Sequence, residues 1–141
     1  MLFDALESKS LKTNQGIFYD GQIFDAYTLI SDIIRSSTKS IILIDNYLDD
    51  TVLKVLSKRN KGISVTLYSK NITEVLKQDL VKHNSQYEKI ELRELKTSHD
   101  RFLIIDNKDV YHFGASLKDA GKKWFAFSKL TMEAKEIIDR L

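Results

Sequence analysis

The residues with the clearest chemical potential lie between Ser98 and Lys123, where a histidine and an arginine precede a strongly apolar segment. If His99 and Arg101 share one β-strand, their side chains project to the same side, about 7 Å apart along the strand. Histidine is a nucleophile or a proton carrier, whereas arginine is a permanent cation whose planar fork fits phosphate oxygens. This pair predicts chemistry on phosphate groups.

The residues after this pair extend the pattern into a motif. Asp106 follows His99 by seven residues, and Gly114 ends a second short apolar segment. The spacing resembles the active-site motif of the phospholipase D-like superfamily, H-x-K-x-x-x-x-D followed closely by G-S-x-N. In this resemblance His99 occupies the histidine position, Arg101 the lysine position and Asp106 the aspartate position.

Four positions differ from the motif. Arg101 replaces lysine, Ala115 replaces serine and Leu117 replaces asparagine. His112 stands two residues before Gly114, where small nucleases of the family often carry an acidic residue that orients the catalytic histidine. The wider sequence is similar to a degenerate branch that is met as a module of phage- and defence-associated bacterial proteins.

The resemblance implies a fold, a reaction and an assembly. The fold is an α/β half-domain with a mixed, mostly parallel β-sheet flanked by helices. The reaction is that of a metal-independent phosphodiesterase, or nuclease: His99 attacks phosphorus to form a phosphohistidine, and a second histidine protonates the leaving oxygen. Arg101 binds the non-bridging oxygens. Because the chain holds one motif, a complete site implies a homodimer that brings two His99 residues together, and no cofactor is implied.

Other side chains are predicted to bind the substrate phosphates. Ser116 and Lys118 can replace the missing groups of the motif, and Lys122 follows in the same basic segment. Asn46 ends a buried strand, where α/β folds place ligand-binding groups, although entry into the next helix explains it equally well. Residues 116–129 contain four lysines against one aspartate, which indicates either a phosphate-facing patch or a solvated lysine face.

Several of these residues also have structural interpretations. Asp106 has the opposite strand parity to His99, which favours a turn former or a structural hydrogen-bond acceptor over a catalytic acid. His112 shares the parity of Gly114, and it either approaches His99 across a hairpin or is a partly exposed strand histidine. The aromatic residues of segment 124–127 either stack on bases or pack in the core.

A metal site is an alternative that the spacing disfavours. His99, Asp100, Asp106 and His112 are potential ligands, but they match no compact metal motif. Arg101 on the same face would repel a dication. We therefore expect no metal at this site.

Composition bounds the class of protein. The 141 residues are 43% hydrophobic, which suits one domain over 1–141, with 1–18 as an N-terminal arm or the remnant of a longer chain. Cysteine is absent, which excludes disulfides and favours a cytoplasmic location. No apolar run approaches a membrane span, so a nucleic acid, DNA or RNA, suits the chain better than a membrane. The net charge of +2 does not make the whole chain a polycation.

The hydrophobic pattern predicts the elements that position these residues. Helices are expected over 23–35, 49–59 and 71–84 and from Leu130 to Leu141. Strands are expected near 16–18 and over 39–45, 63–68, 90–95, 101–105, 110–113 and 124–127. Asn71 with Glu74 resembles a capping box. Ile23, Tyr27, Ile30 and Ile34 recur at helical spacing. The alternation predicts parallel pairing early in the chain and antiparallel pairing late.

A second hypothesis belongs to another class of function. A module that kept the pocket but lost catalysis would bind nucleic acid or phosphate and dimerise within a larger protein. A fused or associated DNA-binding or effector domain would then supply the rest of the function. The departures at His112, Ala115 and Leu117 favour this hypothesis, and turnover separates it from the first.

Overall fold

The computed structural model describes residues 14–141, in which seven strands form one sheet with helices on both faces. The strands are β1 (Gln15–Phe18), β2 (Ser40–Ile44), β3 (Ser64–Ser69), β4 (Ile90–Glu94), β5 (Arg101–Ile105), β6 (Asp109–Phe113) and β7 (Phe125–Leu130). The helices are α1 (Ile23–Arg35), α2 (Asp50–Leu56), α3 (Glu74–Gln86) and α4 (Lys135–Ile138), with a 3-10 turn at Leu117–Asp119. The strand expected near 16–18 is β1, whereas the rest of the proposed N-terminal arm, 1–13, lies outside the described residues.

The sheet is mixed, as expected, but it is not mostly parallel. Its strand order is β1-β7-β6-β5-β2-β3-β4. β2, β3 and β4 pair in parallel, whereas the other four pairings are antiparallel. Parallel neighbours need a long crossover connection, and helices α2 and α3 provide it only as far as β4. The later strands follow short connections, which produce antiparallel pairs.

The central strands are buried on both faces. Ile41 and Leu43 of β2 face the side that α1, α2 and α3 cover. Ile42 faces the other side, where it packs with Ile104 and the segment around α4. This double burial explains why β2 is a continuous apolar run without polar alternation. Polar side chains are therefore displaced to the ends of these strands.

The turn between β5 and β6 is a tight hairpin that sets the register of the candidate site. Asp106 and Asn107 both have positive φ, 57° and 55°. Two successive left-handed residues are typical of a type I′ turn, which aspartate and asparagine tolerate and which matches the twist of the strands. With this register, Arg101 at the far end of the hairpin lies opposite Phe113.

The buried side of α1 differs from the helical pattern in the sequence. Ile23 and Tyr27 are 51% and 38% exposed, while Ala26 and Ile30 are buried against the sheet. The first turn of α1 therefore presents large apolar side chains to solvent.

Two other helices also differ from expectation. Thr73 caps α3 by accepting a hydrogen bond from the backbone N–H of Leu76, and Asn71 is not the cap. α4 is only four residues long because Leu130, expected on this helix, ends β7 instead. Within residues 14–141, none of the helices has the length and apolarity that a membrane span requires.

Several strand ends meet along one border of the sheet, which we call the site edge. The register places the last residue of β2 beside the start of β5, and the start of β5 opposite the end of β6. The end of β1 pairs in the same way with the start of β7. Residues that are far apart in sequence, from 19 to 124, are thus brought to the same border.

Candidate active site

His99 and Arg101 do not share a strand, which corrects the expected geometry. β5 begins at Arg101, and residues 95–100 form an irregular connection from β4. The alternation of side chains therefore applies to Arg101 but does not extend to His99. Both residues lie at the site edge, but the shared face inferred from strand parity is wrong.

His99 is exposed and borders an open cleft of about 560 Å³. Phe102, Ile137 and Arg140 also line this cleft, which lies between the 95–100 loop and the C-terminal segment. Phe102 and Ile137 belong to the small apolar cluster beneath α4. His99 therefore borders the α4 side of the sheet, whereas Arg101 alternates with Phe102 and projects to the other side.

Backbone carbonyls hold the half-buried guanidinium of Arg101. Its Nη1 donates to the carbonyl of His99 at 3.2 Å, and its Nη2 donates to the carbonyl of Gly114 at 2.7 Å. The buried Nε–H has no hydrogen-bond partner among residues 14–141. Because arginine carries five N–H donors, the guanidinium is a fixed cation whose donor capacity these two bonds do not exhaust.

Gly114 connects the outer strands to Arg101. Its N–H donates to the carbonyl of Ala126 at 2.9 Å, while its own carbonyl accepts the bond from Arg101. A Cβ at this position would meet only ordinary contacts, the nearest at 3.6 Å. Conformation therefore does not require glycine here, and the absence of a side chain leaves the backbone beside Arg101 open.

A buried carboxylate, Asp45, organises the residues around Arg101. It accepts hydrogen bonds from the Oγ of Ser116 and the backbone N–H of Leu117, both at 2.9 Å. A third bond comes from the backbone N–H of Tyr47 at 3.0 Å. Burial raises the pKa of Asp45, and these hydrogen bonds, together with the charge of Arg101, only partly oppose the rise. Asp45 joins the end of β2 to the 3-10 turn after β6.

Ser116 is part of the hydrogen-bond network around Asp45. This role does not suit the direct phosphate contact that was expected of Ser116. It is 5% exposed, and its hydroxyl also lies 3.2 Å from the carbonyl of Tyr47. A hydroxyl has one hydrogen to donate, so the bond to Asp45 leaves none for an anion. We therefore interpret Ser116 as a support for Asp45.

Asn46 braces the loop that carries His99. Its Nδ2 donates to the carbonyl of Ser98 at 2.8 Å, and its Oδ1 accepts from the backbone N–H of Lys70 at 2.9 Å. The side chain of Asn71 donates to the backbone carbonyl of Asn46 at 3.0 Å. Both ends of the Asn46 amide are therefore occupied, which fits a positioning role better than the expected phosphate contact.

His112 lies in contact with the carboxylate of Asp100. Its Nε2 lies 3.3 Å from Oδ1 of Asp100, and its ring packs against Phe102 with 5.4 Å between the ring centroids. Phe102 is also its partner across the hairpin. A carboxylate adjacent in sequence to His99 is thus connected to the histidine that replaces the acidic residue of the motif.

The basic segment is partly neutralised. Asp119 lies 3.1 Å from the Nζ of Lys118 and 3.7 Å from the Nζ of Lys122. Lys129 lies farther along β7 and pairs with another aspartate at 3.4 Å. The phosphate-facing patch expected over 116–129 therefore narrows to Lys122, which shares Asp119 with Lys118, and Lys123; both lysines are exposed before β7.

Asp106 lies at the opposite end of β5 from the site edge. Its carboxylate accepts hydrogen bonds from the backbone N–H groups of Thr38, Lys39 and Ser40 at 2.7 to 3.1 Å, and from the Thr38 hydroxyl at 2.9 Å. Burial alone would raise the pKa of Asp106, but these bonds outweigh it and hold the pKa below its usual value. Asp106 fastens the hairpin turn to the start of β2.

The potential metal ligands named from the sequence are not brought together in the structure. The metal alternative required Asp106 beside His99, but β5 separates the two residues. Within residues 14–141, no three histidine, aspartate or glutamate side chains are grouped so that they could hold a metal ion.

Of the aromatic residues in segment 124–127, two pack in the core and one is exposed to solvent. Phe125 and Phe127 are buried in the main core, at 1% and 4% exposure. Trp124 precedes β7 and is 70% exposed. Only the tryptophan remains available to a ligand.

The sequence did not predict the roles of Asp45 and Asp100. Asp45 carried a usable signal, because a carboxylate directly after a buried apolar strand needs hydrogen-bond donors nearby. Asp100 carried none, because its contact with His112 depends on the register of the hairpin.

Comparison with solved structures identifies the fold. The chain resembles Nuc from Salmonella typhimurium, a phospholipase D family member, with a TM-score of 0.64 and 18% identity over 90% of each chain. It resembles NucT from Helicobacter pylori with a TM-score of 0.58 and 16% identity, over 90% of this chain and 89% of that one. The chain has a phospholipase D-like fold.

A third structure widens the range of proteins that share this phospholipase D-like fold. TrmBL2, an archaeal chromatin protein with a novel mode of DNA binding, has a TM-score of 0.55 and 16% identity with this chain. The similarity covers 90% of this chain and 47% of TrmBL2. No family model and no curated protein sequence matches the chain. The resemblance predicted from residues 99–114 is confirmed for the fold, by structure and not by overall sequence.

Proposed function

We propose that the protein is a phosphodiesterase that acts on nucleic acids at the site edge, with His99 as nucleophile and Arg101 as the phosphate-binding cation. The imidazole of His99 attacks phosphorus, the bond to the leaving oxygen breaks, and the His99 of a second copy gives that oxygen a proton. Water then attacks the phosphohistidine, loses a proton to the second histidine and releases the phosphate end. This scheme uses no metal ion and requires a homodimer.

The observation that carries the proposal is the fixed guanidinium of Arg101 at the mouth of β5, at the same site edge as the exposed His99. Their side chains lie on opposite sides of the sheet, so the proposal requires the phosphodiester to bind across this edge. Buried hydrogen bonds of Asp45 hold the neighbouring turn, and a partly buried bond from Asn46 holds the loop of His99. Such preorganisation is what electrostatic stabilisation of a phosphoryl transition state needs. Nuc, with the same fold, is a phospholipase D family member.

A second candidate function is nucleic-acid binding without turnover. It is favoured by the two bonds from Arg101 to backbone carbonyls and by the burial of Ser116, because both compete with phosphate. TrmBL2, which has the same fold, is a chromatin protein with its own mode of DNA binding. Membership of the degenerate branch, and association with phage defence or with a further DNA-binding or effector domain, stay predictions.

Cleavage in the presence of EDTA separates the two candidates. Wild-type protein is incubated with single- and double-stranded DNA and RNA, beside His99→Ala and Arg101→Ala. We expect cleavage that resists EDTA, that disappears in His99→Ala, and that leaves an acid-labile phosphate on the wild-type protein. His83→Asn and Arg35→Ala are matched controls, because both residues lie outside the site edge.

Each result decides between the candidates. Nucleic acid that binds without being cleaved, with affinity that falls in Arg101→Ala, replaces the phosphodiesterase with the binding module. Cleavage that survives His99→Ala removes the nucleophile from the proposal. A strictly monomeric protein by sedimentation contradicts the shared two-histidine site.

A further inference from the structure

A group of exposed aromatic side chains lies farther along the site edge. Trp124, before β7, and Tyr19, after β1, are 70% and 48% exposed, and their rings meet edge to face with centroids 5.0 Å apart. Phe24 and Tyr27 on α1 are 69% and 38% exposed. We call Tyr19 and Trp124, together with Lys122 and Lys123, the aromatic–lysine surface.

The exposure of these rings is not explained by folding. Phe125 and Phe127, next to Trp124 in sequence, are buried, so the local strand already supplies apolar side chains to the core. On α1, Ala26 and Ile30 provide the buried side, and the larger aromatic residues face solvent. Grouped exposed apolar side chains are typical of binding surfaces.

Gly121 holds the lysines and Trp124 against the first turn of α1. Its φ is +76°, and a Cβ there would lie 2.4 Å from the carbonyl oxygen of Gln22 and 2.7 Å from the Cα of Ile23. Only glycine permits this approach, because the obstructing atoms are backbone and the φ is left-handed. The aromatic–lysine surface is therefore assembled by a specific backbone contact.

This surface is continuous with the proposed phosphate site. Ala126, two residues after Trp124, accepts a hydrogen bond from Gly114, which in turn accepts one from Arg101. The path from Arg101 to Ala126 crosses two strand spacings, or about 10 Å, and Trp124 lies about 7 Å farther along the extended chain. A short oligonucleotide can therefore contact Arg101 and Trp124 together.

We propose that the aromatic–lysine surface binds single-stranded nucleic acid beside the site of cleavage. Trp124 stacks on an unpaired base, with Tyr19 supporting its ring, while Lys122 and Lys123 pair with the flanking phosphates. Unpaired bases present their faces to aromatic side chains, whereas bases in a duplex are already stacked on each other. The inference names the substrate class of the site, and to that extent it rests on the proposed function.

Trp124 is the only tryptophan of the chain, so its fluorescence reports directly on stacking. Full-length protein is titrated with oligothymidylate of about 12 nucleotides, a length suited to aromatic binding tracks. We expect quenching of the tryptophan signal at the same concentrations that raise the anisotropy of labelled oligonucleotide. Trp124→Ala should raise the Kd about tenfold, and Trp124→Phe less than about threefold, because a phenyl ring still stacks.

Two controls keep the test specific. The Kd for a duplex of the same length should not change in Trp124→Ala. Tyr87→Ala, which removes an exposed aromatic side chain directly after α3, should not alter single-strand affinity. Replacing both Lys122 and Lys123 with glutamine should weaken binding and lower the salt dependence, because fewer counterions are released.

The outcomes separate this inference from the proposed function. If oligonucleotide binds without quenching and with unchanged Kd in Trp124→Ala, the inference is overturned, even where His99-dependent cleavage persists. If Trp124→Ala dissociates a dimer in sedimentation, the surface is an interface between copies and the inference also fails. Stacking without cleavage supports the inference and removes the phosphodiesterase.

Discussion

Asp45 and Asp106 lie at opposite ends of the paired strands β2 and β5. Both carboxylates connect distant parts of the chain, but one is buried and the other lies near the surface. Asp45 is fully buried, and its pKa is raised because burial outweighs its three hydrogen bonds and the charge of Arg101. Asp106 lies near the surface, where four donor groups outweigh a small burial and its pKa is lowered. Whether desolvation or hydrogen-bond donation dominates thus decides whether the pKa of the carboxyl group rises or falls. The carboxylate that is costly to ionise is the one at the candidate active site.

Removing the buried carboxylate should have the largest effect. In Asp45→Ala the hydroxyl of Ser116 and the backbone N–H of Leu117 lose their acceptor, so we expect the free energy of unfolding to fall by about 3 to 5 kcal/mol. Urea denaturation measures this loss. Ser116→Ala, which removes one of the three donors, is the graded control and should cost about 1 kcal/mol. Asp45→Ala with near wild-type stability would show that Asp45 does not organise the site edge.

Removing the surface carboxylate should cost less and should spare function. Asp106→Ala loses hydrogen bonds to three successive backbone N–H groups and places alanine at a positive φ, so we expect a loss of about 2 kcal/mol. Asp106→Gly is the matched control for the backbone strain. Nucleic-acid affinity per folded molecule should be unchanged in both variants. A parallel loss of affinity would mean that the two ends of β5 are not independent.

The dependence of stability on pH should have opposite signs at the two carboxylates, and this is the smallest predicted effect. The stabilisation from Asp106 is present above its unfolded pKa, near 3.8, and is lost as the pH falls through its lowered folded value. The raised pKa of Asp45 acts in reverse, so its contribution declines as the pH rises from near 3.8 through the folded value.

Urea midpoints between about pH 3 and about pH 7 test these signs, because the window extends to both sides of 3.8, the value from which the two pKa values shift in opposite directions. Asp106→Gly should flatten the acid limb of the curve, and Asp45→Asn should remove the decline above it. Identical pH profiles for both variants would contradict the contrast between the two environments.

The parts of the fold that follow from local pattern were predicted well. The apolar run of β2 and the Asp106–Asn107 turn carry their own signals, because double burial and positive φ restrict which residues can occupy such positions. Asp106 is a structural acceptor away from the site, as expected, because it lies in the turn at the far end of β5. Strand parity relative to His99 is not the reason, since His99 precedes the strand. Parallel pairing early in the chain and antiparallel pairing late were also predicted correctly. The share of parallel pairs was overestimated, because helical crossovers end at β4 and the sequence does not show which strand β5 will join.

The location of the candidate site stays a prediction, whereas its expected geometry differs from the structure. His99 and Arg101 lie at the site edge, yet the strand begins only at Arg101, and boundaries of elements are weakly encoded in sequence. Ser116 and Asn46 were expected to meet phosphate but instead hold protein groups. Their partners, Asp45 and Ser98, are distant in sequence, and composition cannot reveal such bonds.

The hydrogen bonds of Asp45 also have a consequence for the order of folding. They join positions 71 and 72 residues apart, and the bond from Asn46 to Ser98 spans 52 residues. No local segment can form these contacts early, because the entropy of closing such long loops must be overcome first. The candidate site therefore takes shape only after β2, β5 and β6 have come together. A nascent chain that has not yet extended past Leu117 therefore lacks part of the candidate site.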